Sequence, residues 1–169
     1  MKIPMLCFLL MSYALNANPL PQMTKLGEGE MRYLFWTLYR AELYVDASPY
    51  QQDHYPKLLK IEYFKNISQA DLLNATKEQW QHIGIDERLI TDWLEQLNRI
   101  WPNINEGDQL IIYVDDERRS TFYSGGHDLP DQELGVINDD NFGPAFLDIW
   151  LSEKTSEPQL RMKLLGERE

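Results

Sequence analysis

Residues 68–102 read SQADLLNATKEQWQHIGIDERLITDWLEQLNRIWP, and this stretch decides the fold class. Ser68 is a sound N-cap, with Asp71 three residues on to reinforce the first turn. Leu72, Ala75, Gln79 or Trp80, and Ile83 follow at helical spacing, and Gly84 supplies a stop. Asp86 and Glu87 open a second helix with a broad apolar stripe through Leu89, Ile90, Trp93, Leu94, Leu97 and Ile100, and Pro102 ends it. Two helices in succession are not the single crossover of a βαβ unit.

Strand signals lie on both sides. Upstream, Leu26 to Val45 reads as β structure, dense in aromatic and aliphatic residues from Met31 to Tyr39. From there it alternates, with Tyr39, Ala41, Leu43 and Val45 on one face and Arg40, Glu42 and Tyr44 on the other. Asp46 to Pro56 is polar and turn-rich, and Leu58 to Phe64 forms another short strand. Downstream, Gln109 to Val114 is apolar on both faces, which predicts a central strand. The charged run Asp115 to Arg119 is a solvated turn, and Gly125-Gly126 predicts a hairpin with an extended loop between Ser120–Ser124 and a segment near Leu134–Ile137. Asp139 or Asp140 caps a third helix, and Ser156 and Pro158 begin a fourth, closed by Gly166. Strands, two helices, strands, two helices is an α+β order. It predicts a meandering antiparallel sheet with helices on one face.

Met1-Lys2, the apolar run Ile3 to Leu15 and the small residues up to Ala17 describe a secretory signal peptide, too short to span a bilayer. Residues 1–17 are thus expected to be a cleaved leader and residues 18–169 a single domain in the periplasm, with no stable membrane insertion once the leader is gone. Cys7, the only cysteine, falls within the leader, so a cleaved chain has no disulfide, thiolate nucleophile or cysteine metal site. Sixteen basic against 27 acidic residues give a net charge of −11, and losing Lys2 makes it −12. That balance disfavours nucleic acid and anionic membrane surfaces.

Motifs with chemical content are few. Gly27-Glu28-Gly29 lacks a third glycine and precedes a strand, so it reads as a β-turn or bulge and not a phosphate cradle. His54, His82 and His127 have no paired ligand spacing, and Asp115-Asp116-Glu117 and Asp139-Asp140 read as a turn and a helix start. No catalytic residue, metal site or cofactor is assigned.

Leu26-Gly27-Glu28-Gly29, Leu34-Phe35-Trp36-Thr37-Leu38-Tyr39 and Ala41-Glu42-Leu43-Tyr44 resemble the opening of the bacterial chalcone isomerase-like family. Phe146 to Leu151, Thr155 to Arg161 and Leu164-Leu165-Gly166 resemble its C-terminal end, so the resemblance spans residues 25 to 166. It implies an open-faced β-sandwich, a large antiparallel sheet backed by helices. It also implies where the plant isomerases carry their substrate-binding arginine, threonine and two helix residues. Counted from Gly29, the first two positions fall on Met31 and Tyr39; counted back from Ile83-Gly84, the others fall near Ser68 and Ala75. None of the four identities is kept. Arg32 stands one residue late, which reverses its face unless a bulge after Gly29 restores it. Arg32 and Tyr39 are therefore the candidate ligand-binding residues.

Isomerisation of a chalcone needs a cation at the phenolate and a polar network, which Met31, Tyr39 and Ala75 do not supply. Because relatives of the fold bind fatty acids, the resemblance implies a non-catalytic periplasmic protein with a small apolar ligand in a cleft between sheet and helices. An isomerase-type enzyme acting on a small aromatic or unsaturated substrate, and an envelope module that docks a protein partner through exposed aromatics, are the competing expectations. The protein partner is unknown.

Overall fold

The computed structural model describes residues 23–126 and 129–167. The expected leader and His127 lie outside them. Six strands run in chain order across one antiparallel sheet: β1 (Thr24–Tyr33), β2 (Trp36–Val45), β3 (Lys57–Tyr63), β4 (Asp108–Val114), β5 (Ser120–Gly126) and β6 (Leu129–Ile137). Helices α1 (Gln69–Ile83) and α2 (Glu87–Ile100) form a hairpin inserted between the neighbouring strands β3 and β4, and α3 (Phe142–Leu151) and α4 (Pro158–Leu164) follow β6. This is the α+β open-faced sheet the element order predicts.

Strand alternation selects the covered face. Ala41, Leu43 and Val45 on β2, Leu59, Ile61 and Tyr63 on β3, and Leu110, Ile112 and Val114 on β4 are all buried. Most of them join one core with the apolar sides of the helices. Across that face the helices follow the order α4, α3, α1, α2, with α4 against β1 and α2 against β6. An aromatic cluster holds the layer together. Trp80 of α1 and Trp93 of α2 lie with ring centres 5.2 Å apart, and Phe142 stands edge-on to both. Burying each such side chain contributes roughly 1.5–3 kcal/mol.

Helix ends follow the expected chemistry. The Ser68 hydroxyl accepts from the Asp71 N–H at 3.1 Å, and Gly84 closes α1 in the left-handed region at φ 89°. Asp86 caps α2 by accepting from the Arg88 N–H at 2.8 Å. The buried side of α1 carries Thr76 where periodicity selects Ala75, because the helix turns Ala75 toward a cavity mouth. At α3 the N-cap position is Asn141, not Asp139 or Asp140. Asp139 acts from two residues ahead, accepting from the Asn141 N–H at 2.9 Å and from the Trp93 indole at 2.8 Å.

One glycine pair behaves differently from expectation, and the other takes one of its two expected forms, a bulge. β5 continues through Gly125-Gly126 and β6 starts at Leu129, so most of the expected extended loop is strand. A Cβ on Gly125 would sit 2.5 Å from the Asp131 carboxylate, a side-chain end that would have to swing aside. Gly27 and Gly29 lie within β1 beside a bulge between Lys25 and Gly27, and not in a turn. A Cβ on Gly27 would fall 2.1 Å from the Lys163 carbonyl oxygen, and one on Gly29 would fall 2.6 Å from the Leu160 side chain. These two positions let α4 lie directly on β1.

Candidate functional site

One end of the sheet does not close against the helices. There Met31 at the end of β1, Leu38 and Tyr39 at the start of β2, Tyr63 at the end of β3 and Leu110 at the start of β4 face Leu72 and Thr76 of α1 and Phe146, Ile149 and Trp150 of α3. The space between them is about 220 Å3. Its deep wall is apolar and buried, through Leu72, Leu110, Trp101 and Phe146. Asp71, Ala75 and Ser156, all exposed, and the half-buried Gln79 and Glu157 form the mouth.

The polar groups are sparse. The Trp150 indole N–H donates to the Tyr39 hydroxyl at 2.9 Å, so that oxygen is held while its own proton has no acceptor among the described residues. Withdrawal from water pushes the Tyr39 hydroxyl up to about 12 and raises Tyr63 still further, so both stay protonated across the physiological range. The two rings are tilted, with centres 5.8 Å apart. At the mouth, the Ser156 hydroxyl donates to the Gln79 side-chain oxygen at 2.7 Å, which leaves the Gln79 amide N–H groups available. Among the described residues the lining holds two carboxylates, Asp71 and Glu157, and no cation.

The expected site residues separate. Tyr39 lines the cavity. Arg32 does not line it. The register shifts between Met31 and Arg32, yet Arg32 remains on the outer face, where its guanidinium donates to Glu30 at 2.8 Å. It belongs to a polar groove between β1 and α4 together with Arg40, Lys163 and Glu157, and Glu157 alone borders both spaces. Three of the four positions implied for plant substrate binding, 31, 39 and 75, do surround the cavity, as Met, Tyr and Ala. Ser68 instead caps α1. Trp150, Gln79 and Glu157 are site residues that sequence reasoning missed, because each looks ordinary on its own helix or turn. His54 sits 2.9 Å from Asp46 on the surface, and His82 is exposed near the end of α1.

The chalcone isomerase-like family profile matches residues 23–166. The chain belongs to the chalcone isomerase-like family. An uncharacterized protein of Haemophilus influenzae is 23% identical over 167 residues, covering 94% of this chain and 76% of that one. Among solved structures, an Arabidopsis thaliana fatty-acid binding protein superposes with a TM-score of 0.62 at 12% identity, over 85% of this chain and 87% of that chain. At that identity the likeness shows the fold, and it is the same chalcone isomerase-like architecture.

Proposed function

We propose that this chalcone isomerase-like protein is a non-catalytic carrier of a small apolar ligand, exported to the periplasm. The ligand is a fatty acyl chain or a molecule of similar shape, seated in the cavity between the sheet and α1 and α3. The observation that carries this reading is the lining: a buried apolar wall with two tyrosine hydroxyls, a mouth with two carboxylates, and no cation among the described residues. Such a site binds hydrocarbon and offers hydrogen bonds, but it has no group to stabilise a developing phenolate. The fatty-acid binding function named for the Arabidopsis protein of the same fold supports the choice of ligand class. The leader read at residues 1–17 supports the compartment.

Native mass spectrometry of protein recovered from the periplasm tests the reading directly. Wild-type protein is expected to carry a copurifying lipid, and an Ala75→Trp variant, filling the mouth from an exposed position, is expected to lose it while unfolding at the same temperature. Conversion of chalcones to flavanones by the wild-type protein would overturn the non-catalytic assignment. Absence of any bound or added lipid would overturn the carrier.

A further inference from the structure

We propose that the tip of the β1–β2 hairpin seats this protein on a phospholipid bilayer. Tyr33, Leu34, Phe35 and Trp36 are 63, 76, 98 and 60% exposed, and they are consecutive. Among the described residues the other exposed large apolar side chains, Leu89 and Val136, stand singly and at the margin, at 37 and 38%. Isolated exposed apolar residues are ordinary, but four in a row at the apex of a protruding turn are not.

The residue types at the turn run against local preference. A two-residue hairpin turn is best served by Asn-Gly, which accepts positive φ without strain. Here Leu34 holds φ 54° in that position and Phe35 follows it. The turn thus carries apolar bulk in a conformation that leucine adopts at a cost.

The arrangement fits a lipid surface better than a protein one. Leu34 and Phe35 form the apex, and the amphipathic Tyr33 and Trp36 flank them one step back, which is the depth order of apolar and interfacial side chains at a membrane. Cations stand behind that ring. Arg32 is on the outer face of β1, and the Lys65 ammonium lies 4.4 Å from the centre of the Trp36 ring. Residues 31–41 include two arginines and no acid in a chain of net charge −11, and although the neighbouring Glu30 pairs with both arginines, this end offers cations to phosphate headgroups. Four side chains on a narrow tip are far fewer than the roughly 20–30 residues a side of a stable protein interface.

The tip is also continuous with the cavity. Met31 and Leu38, each three residues from the apex, line it, which places that wall of the cavity roughly 10 Å behind the tip at the rise of a strand. If the cavity carries a lipid, as proposed above, anchoring by the tip brings the cavity close to the source of that lipid. The anchoring itself does not depend on what the cavity holds.

Vesicles of phosphatidylethanolamine with phosphatidylglycerol, free of added ligand, provide the test. The other four tryptophans are at most 9% exposed, so a change in tryptophan emission reports Trp36. Adding vesicles to the wild-type protein is expected to shift its emission to the blue, and bromine-labelled acyl chains are expected to quench it. A doubly substituted variant, Leu34→Ser with Phe35→Asp, is expected to lose vesicle binding by roughly tenfold or more, with an unchanged melting temperature. Unshifted wild-type emission, or full binding by the variant, overturns the proposal. So does a self-associated wild-type protein that the variant dissociates without any binding to vesicles, since the tip would then serve a second copy. Capture of a protein partner through the tip, with vesicles ignored, also overturns it.

Discussion

The indole N–H of Trp150 on α3 donates to the hydroxyl of Tyr39 on β2 at 2.9 Å, tying a helix to the sheet at the cavity wall. The bond holds the phenol oxygen and directs its proton away from the donor. A largely buried indole N–H without a partner costs about 1–3 kcal/mol.

Replacing Tyr39 by Phe removes that acceptor. The variant is expected to lose about 1–3 kcal/mol of stability, read from the urea midpoint, since Trp150 is left unsatisfied. It is also expected to weaken binding of a long-chain alcohol severalfold while leaving an alkane of equal length unaffected. Equal weakening of both would show that the hydroxyl shapes the cavity and does not bond the ligand.

The two carboxylates at the mouth predict selectivity by ligand charge. A free fatty acid should bind more weakly than its alcohol or methyl ester at pH 8, and the gap should narrow as the pH falls and the ligand's carboxyl protonates. Glu157→Gln removes one repelling charge without disturbing a cap, because Glu157 makes no side-chain bond to the start of α4. A threefold to tenfold gain for the acid, and none for the ester, is expected from displacement of a fluorescent probe. That magnitude is about 1 kcal/mol, the size of one well-solvated charge pair.

Lys57 gives stability a distinctive pH profile. The residue is 2% exposed, its ammonium donates to the Gln52 carbonyl, and it lies 4.9 and 4.3 Å from the ring centres of Tyr50 and Tyr55. Burial pushes its pKa down to about 8 from an ordinary 10.5, against the pull of Asp148 and Asp53 and with Arg118 adding to the depression. Between those values the unfolded chain binds more protons than the folded one, so stability should rise with pH from about 8. Tyr39, Tyr50 and Tyr55 act oppositely. Burial pushes them up to about 12, while unfolded tyrosines ionise near 10, so stability should fall above about pH 10. Urea titrations across pH 7–11 should show a maximum, and Lys57→Met should flatten the rising limb only.

Gly27→Ala should be unusually costly for so small a change. Its Cβ meets backbone oxygen of α4 and not a side chain that can swing aside. A loss of about 1–3 kcal/mol is expected, with hydrogen exchange accelerated over residues 158–164 and little changed in β4. Gly107→Ala is the contrast: nothing lies near its Cβ, and any loss there arises from φ 91° alone.

How far these features were legible depends on whether their cause is local. The caps at Ser68 and Gly84, the α2 stripe apart from the exposed Leu89, and the alternation from Tyr39 to Val45 are written in neighbouring residues, and the structure keeps them. The outward position of Arg32 was also legible, since one residue along a strand changes the face, and the bulge after Met31 does not restore it. The hairpin apex was hidden because Leu34-Phe35 has the composition of a strand interior, not of a turn. The burial of Lys57 was hidden because the tyrosines that cover it come from a segment that reads as polar loop. The Trp150–Tyr39 bond joins residues 111 positions apart, and no local pattern encodes such a pairing.

The seat of α4 on the two glycines of β1 joins the first described strand to the last helix. A growing polypeptide therefore bares one flank of the sheet until residues 158–164 have left the ribosome. Until then it lacks its final clasp, which delays locking of the fold.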